Sequence, residues 1–86
     1  MELKNTLGDY TELEFKKLVD EIVKVYGTEK YQDELIINFR FLVKDVGGAD
    51  LIFYPELGAD ISAEGIMKTV KARCDAKGLP SFKPLF

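Results

Sequence analysis

The stretch TELEFKKLVDEIVKVYG, residues 11–27, carries the pattern that decides the fold. Thr11 followed by Glu14 is typical of a capping box, in which each side chain bonds the other residue's backbone N–H at a helix start. Gly27 is a natural residue for ending the helix. Between them, apolar side chains recur at helical spacing: Phe15, Leu18, Val19, Ile22 and Tyr26. We therefore predict an amphipathic helix whose apolar stripe faces a core.

A second helix follows directly, starting near Thr28 or Glu29, running to about Asp45, and ended by the glycines at 47–48. Its predicted inner stripe consists of Tyr31, Leu35, Phe39, Leu42 and Val46. Other apolar side chains point away from that stripe: Ile36, Ile37 and Phe41. A helix that is apolar over so much of its circumference is either central or binds a partner.

A last helix is predicted between Ser62, a capping residue, and Gly78. Its core-facing residues are Ile66, Met67, Val70 and Cys74. The prolines of the segment from residue 79 to 86 prevent further helix, so we expect it to pack as irregular chain through Phe82.

The short segment Asp50–Pro55 separates the second and last helices. It could form a strand, but no second convincing strand exists to pair with it, so we predict a one-turn helix. In such a helix the adjacent Phe53 and Tyr54 can hardly both be buried, although burial of both is the alternative. Three ordinary helices and one very short one predict an all-α antiparallel bundle, formed by residues 1–86 as a single domain.

The composition argues against catalysis. The chain has no histidine and one cysteine, Cys74, which excludes an internal disulfide and removes the commonest general base and zinc ligand. No glycine-rich phosphate loop occurs. We therefore predict no catalytic residues, no metal and no cofactor. A small hydrolase using Asp33, Glu34 and Asp60 is the least favoured alternative, because adjacent carboxylates on a helix point in different directions.

Charge is spread unevenly along the chain. Residues 28–64 hold eight acids and three bases, a net charge of −5, whereas the remainder holds seven acids and nine bases. An acidic segment repels nucleic acid and attracts a basic partner, although ordinary solvated charge is the simpler explanation. No apolar run approaches the roughly 18 residues of a membrane span, and the N-terminus lacks an apolar signal core. We expect a cytoplasmic protein that binds neither nucleic acid nor membrane.

Four stretches resemble the immunity proteins of DNase E-type colicins and the related S-type pyocins. They are residues 1–15 (MELKN, DYTE and EF), the signature-like DLIFYP at 50–55, EGI with TVK at 64–71, and FK at 82–83. The resemblance implies a distorted four-helix bundle with a one-turn third helix. It also implies tight binding to the basic HNH-type nuclease domain of a cognate bacteriocin inside the producing cell, by a protein that is monomeric when free.

In this family the third helix carries a shared binding motif and the second helix sets specificity. Asp50, Tyr54 and Pro55 match the shared motif, and Phe53 stands where the family usually has a tyrosine. The positions on the specificity helix are Glu29, Gln32, Asp33, Ile36, Ile37 and Arg40. The inhibitor is expected to sit beside the nuclease active site and block DNA by its bulk and negative charge.

The sequence departs from the family pattern in places. Arg73-Cys74 stand where Trp-Arg is usual, and Arg40 is basic on a surface that is usually acidic. The loop before the last helix is less acidic, with Leu57, Ala59 and Ile61. A cognate toxin other than the best-known colicin nucleases is therefore expected. A generic helical adaptor or regulatory module is the alternative function.

Overall fold

Helices form all the regular secondary structure in the described part of the computed structural model, residues 3–55 and 57–84. A 3-10 turn at Leu7–Asp9 precedes four helices: α1 (Glu12–Val23), α2 (Glu29–Leu42), α3 (Asp50–Phe53) and α4 (Ala63–Lys77). The predicted all-α fold with a very short third helix is confirmed. Glu56, part of the predicted acidic segment, lies outside the described residues, as do the terminal residues 1–2 and 85–86.

The start of α1 is the predicted capping box. The Glu14 N–H donates to Thr11 Oγ1 at 3.1 Å, and the Thr11 N–H donates to Glu14 Oε1 at 2.9 Å. The predicted end is wrong, because α1 stops at Val23 rather than near Gly27. Val25 takes a left-handed backbone with φ of 55°, and the next N–H bonds back five residues to the Glu21 carbonyl. This Schellman-type end of α1 places Tyr26 outside the apolar stripe.

The observed ends of α1 and α2 affect the predicted apolar stripes differently. Tyr26 is half exposed instead of facing the core. The second helix also ends earlier than the expected Asp45, because Val43 leaves helical geometry and its carbonyl accepts the N–H groups of Val46 and Gly48. The Val46 side chain is nevertheless buried, as its place in the stripe predicted.

The core lies where α1 packs against α4 and α2. Phe15 is its centre: its ring stacks on Phe39 at a centroid distance of 5.9 Å and lies 5.0 Å from Phe82. The C-terminal segment is held there by the Lys83 N–H, which donates to the Tyr10 carbonyl at 2.9 Å. The predicted packing of the tail through Phe82 is thus confirmed. The predicted inner residues of α4 are all buried: Ile66, Met67, Val70 and Cys74.

A buried tyrosine joins the N-terminal segment to α2. The Tyr10 hydroxyl donates to Asn38 Oδ1 at 2.7 Å and accepts the Lys4 N–H at 2.9 Å, while Asn38 Nδ2 donates to the Lys4 carbonyl. Burial raises the pKa of Tyr10 above its ordinary value of 10.0. Each polar group of this network therefore has a partner, as buried polar groups require.

The single cysteine lies in the core. Cys74 is 1% exposed, and burial raises the pKa of its thiol above the ordinary value. A reactive cysteine needs a low pKa and solvent access, and Cys74 has neither, so its side chain serves packing in the core. Within the described residues, no helix has the length and apolar content needed to cross a membrane.

Candidate partner-binding surface

The third helix presents two aromatic side chains to solvent. Its four residues are closed by the N–H groups of Phe53 and Tyr54, which donate to the carbonyls of Ala49 and Asp50 at 3.0 Å. Pro55 then follows and prevents continuation. Phe53 is 48% exposed and Tyr54 is 79% exposed. The sequence predicted that at least one of this aromatic pair would be exposed, and both are.

The opposite side of α3 attaches it to the core. Leu51 and Ile52 are half-buried and pack against the core cluster, whereas Asp50 is exposed beside the aromatic pair. One helical turn can bury only one side, so the burial of Leu51 and Ile52 fixes which residues are left in water. The four predicted shared-motif residues, Asp50 and residues 53–55, are all exposed.

A second exposed surface runs along α2. Residues at positions i, i+4, i+7, i+8 and i+11 share one side of a helix, and five of the six predicted specificity residues follow this spacing. Four of these are exposed and one, Ile36, is half-buried: Glu29, Asp33, Ile36, Ile37 and Arg40. We call this set the α2 face. Its apolar centre is Ile37, which is 65% exposed.

Gln32 is the one predicted specificity residue that does not join the α2 face. It precedes Leu35 and Phe39 by three and seven residues, which places it toward the inner side of the helix. It is buried, and its Nε2 donates to the carbonyls of Glu21, at 2.9 Å, and Tyr26. Its side chain therefore holds the end of α1 and the following loop instead of facing water.

An exposed residue extends the α2 face toward the helix end. Phe41 is 53% exposed, and Lys44 Nζ lies over its ring at 4.6 Å from the centroid. Phe41 lies four residues after Ile37, so the two apolar side chains are neighbours on one side of α2. Phe41 is not among the predicted specificity positions, although the sequence placed it outside the inner stripe of α2 together with Ile37.

The matching family model is that of the colicin immunity protein / pyocin immunity protein family, and it covers residues 7–73. The chain belongs to this family. It is 34% identical to the pyocin-S1 immunity protein of Pseudomonas aeruginosa over 94% of this chain and 98% of that protein. The pyocin-S2 immunity protein of the same species matches with the same identity and coverage.

Solved structures give the same assignment for this immunity-family protein. A chain of the pyocin AP41 DNase–immunity complex superposes with a TM-score of 0.84 at 34% identity, covering 100% of this chain and 99% of that one. A chain in the structure of the mutant nuclease domain of pyocin S8 with its cognate immunity protein has a TM-score of 0.83 at 33% identity. That match covers 94% of this chain and all of the other.

A cleft of about 350 Å³ lies between α3 and α4 of the immunity-family chain. The exposed motif residues Asp50 and Tyr54 line it from one side, and Thr69 and Arg73 line it from α4. Arg73 Nη1 donates to the Val46 carbonyl at 2.8 Å, in the turn before α3. No pattern in the sequence indicated this contact, because it joins residues 27 positions apart.

Two carboxylates, Asp50 and Asp60, line the cleft beside α3 together with the guanidinium of Arg73. Asp50 and Asp60 are both exposed, and Asp60 Oδ1 accepts the Ser62 N–H at 2.9 Å. This hydrogen bond from the Ser62 backbone lowers the pKa of Asp60 below its ordinary value. Among the described residues, no cluster of three or more histidine, cysteine, aspartate or glutamate side chains is arranged to hold a metal ion.

Proposed function

We propose that this immunity-family protein binds the nuclease domain of a cognate bacteriocin and inhibits it by contact, with no catalytic activity of its own. The observation that carries the proposal is the exposure of Phe53 and Tyr54 on a short helix whose other side packs against the core. Aromatic side chains in this setting give large contact area for little loss of side-chain entropy. The proposal places the protein in the cytoplasm of the producing cell, as a monomer when free.

The proposed contact surface has two parts. The exposed motif residues Asp50, Phe53, Tyr54 and Pro55 form the anchor, and the α2 face adjusts the fit to one toxin. The net −5 charge of residues 28–64 would draw a basic nuclease toward this side of the molecule. Electrostatic attraction of this kind mainly raises the association rate, whereas an aromatic anchor that becomes buried in the complex lowers the dissociation rate. Gln32 contributes indirectly, by holding the loop before α2.

Replacing the aromatic anchor tests the proposal. We expect Tyr54→Ala to weaken binding by at least about 2 kcal/mol, roughly 30-fold in Kd, as loss of a central aromatic residue does. Tyr54 is 79% exposed in the free protein, so the free energy of unfolding should change by less than about 0.5 kcal/mol. Binding would be measured by titration calorimetry against the purified nuclease domain of the cognate bacteriocin, and inhibition by a DNA-cleavage assay.

Leu13→Ala is the matched control, since Leu13 is an apolar α1 residue with 65% exposure. It should leave affinity, inhibition and stability unchanged. Equal affinity of the Tyr54→Ala protein and the wild type would rule out Tyr54 as a central residue of the anchor. No binding of the wild type to a nuclease, together with capture of a signalling or transcription protein, would instead favour a general adaptor.

A further inference from the structure

Apart from the partial burial of Leu51 and Ile52, the third helix lacks the features that usually hold a helix in place. It has four residues, none of which is fully buried, and Ala49 before it makes no side-chain capping bond. Isolated helices this short are not stable in water. The orientation of α3 must therefore be set by the turn that leads into it and by neighbouring elements.

Arg73 of α4 bonds directly to that turn. Its Nη1 donates to the carbonyl of Val46, whose side chain is 3% exposed and belongs to the core. A hydrogen bond from a charged donor is stronger than one between neutral groups, and the planar guanidinium holds a defined direction. The contact joins α4 to the start of the segment that carries the aromatic pair.

Gly47 allows α4 and α3 to approach the same point of the backbone. Its φ is +135°, and a Cβ atom there would lie 2.8 Å from Arg73 Nη1 and 3.0 Å from Leu51 Cγ. A side chain would therefore push Arg73 and Leu51 apart. Without one, the guanidinium of α4 and the first apolar residue of α3 pack against the same turn. Arg73 also lines the cleft to which Asp50 and Tyr54 contribute.

We infer that Arg73 is a positioning residue for partner recognition: it fixes the turn at Val46 and Gly47, and so sets the orientation of α3 and of Tyr54. Arg73 does not need to touch the partner for this role. The inference rests on the proposed function only for its binding readout, because the hold on α3 can be measured in the free protein.

Lys77 provides a matched control on the same helix. Its Nζ donates to the Asp45 carbonyl, so it also bonds the segment after α2, but it does not line the cleft at α3. Removing either side chain changes the net charge by the same amount. Any difference between Arg73→Ala and Lys77→Ala therefore reports on position and not on charge.

Amide hydrogen exchange tests, in the free protein, whether Arg73 stabilises α3. The N–H groups of Phe53 and Tyr54 close the helix, so we expect Arg73→Ala to speed their exchange about tenfold, the factor typical of losing a charge-assisted hydrogen bond. Amides in the middle of α4 should exchange as in the wild type, and Lys77→Ala should leave the α3 amides unchanged. Unaltered exchange at residues 53 and 54 in Arg73→Ala would overturn the inference.

Binding kinetics test the consequence for recognition. We expect Arg73→Ala to raise the dissociation rate of the nuclease complex about tenfold, and to add nothing further when Tyr54 is already alanine. Arg73→Lys retains the charge, so its association rate should equal that of the wild type while its dissociation rate stays raised, and this variant replaces the alanine variant if the latter does not fold. Additive effects of the Arg73 and Tyr54 substitutions would show that Arg73 does not act through Tyr54. If the wild type binds no nuclease, the proposed function fails while the exchange experiment still decides the role of Arg73.

Discussion

The helices α1 and α3 use apolar side chains in opposite ways. In α1 the residues Phe15, Leu18 and Val19 are fully buried, and a capping box fixes the first turn. In α3 no residue is fully buried, no side chain caps the helix, and the aromatic pair faces water. Burial at α1 stabilises the fold, whereas exposure at α3 leaves apolar area available for a partner. Substitutions in the two helices should therefore affect different measurements.

The largest expected effect comes from truncating the central aromatic residue of α1. Phe15→Ala should lower the free energy of unfolding by about 3–5 kcal/mol, because the cavity would border Phe39 and Phe82 as well as the α1 core. Phe53→Ala removes the same side chain from α3 and should cost less than about 1 kcal/mol, since it is half exposed. Urea unfolding measures both. Similar losses in the two variants would mean that α3 belongs to the cooperative core.

The next effect concerns the helix starts. Thr11→Ala should destabilise the protein by about 1 kcal/mol, because the Glu14 N–H loses its acceptor. Ala49→Ser tests whether adding a side chain that can cap the helix is enough to stabilise α3. We expect no gain in stability, since Ala49 has helical backbone angles (φ −65°, ψ −17°) and a capping side chain needs extended ones. Thermal or urea unfolding checks both variants, and a clear stabilisation by Ala49→Ser would contradict this account of α3.

Features set by local sequence were predictable. The capping residues Thr11 and Ser62 start helices because the hydroxyl reaches an N–H three residues away, and the apolar spacing in α1 and α4 identifies the buried sides. The one-turn third helix followed from Pro55 and from the absence of a pairing strand. The end of α1 was missed because the left-handed residue is Val25, where the sequence offered Gly27.

Features set by contacts between distant residues were not predictable. Gln32 has the polarity of a surface residue, yet the carbonyls of Glu21 and Tyr26 provide it with buried partners. The bonds from Tyr10 to Asn38 and from Arg73 to Val46 span 28 and 27 positions. No periodicity encodes such pairs. The exposed aromatic pair was accessible to sequence reasoning because one turn cannot bury two adjacent large side chains.

A smaller effect tests the strained end of α1. Val25 is a β-branched residue with φ of 55°, a conformation that costs an L-residue about 1–2 kcal/mol. Val25→Gly relieves that strain but adds freedom to the unfolded chain, so we expect a net stabilisation of about 0.5–1 kcal/mol. Little burial is lost, because Val25 is 69% exposed. Denaturant unfolding measures the change. Destabilisation by glycine would show that the valine side chain makes contacts that outweigh its backbone strain.

The smallest expected effect is the pH dependence of stability that arises from Glu14 in the first turn of α1. The hydrogen bond from Lys4 Nζ to Glu14 Oε2, at 2.8 Å, and the Thr11 N–H lower the pKa of Glu14 from its ordinary 4.5 to about 2. The folded state thus binds this proton less readily than the unfolded state. The stabilisation is therefore complete above about pH 4.5 and is lost as the pH falls toward 2. Solvent reaches both side chains of the pair, which are 21% and 42% exposed, and its screening keeps the effect small. Glu14→Gln cannot ionise, so its stability deficit relative to the wild type at pH 7 should shrink at pH 3 in urea unfolding. An equal deficit at both pH values would mean that the carboxylate titrates alike in the folded and unfolded chains.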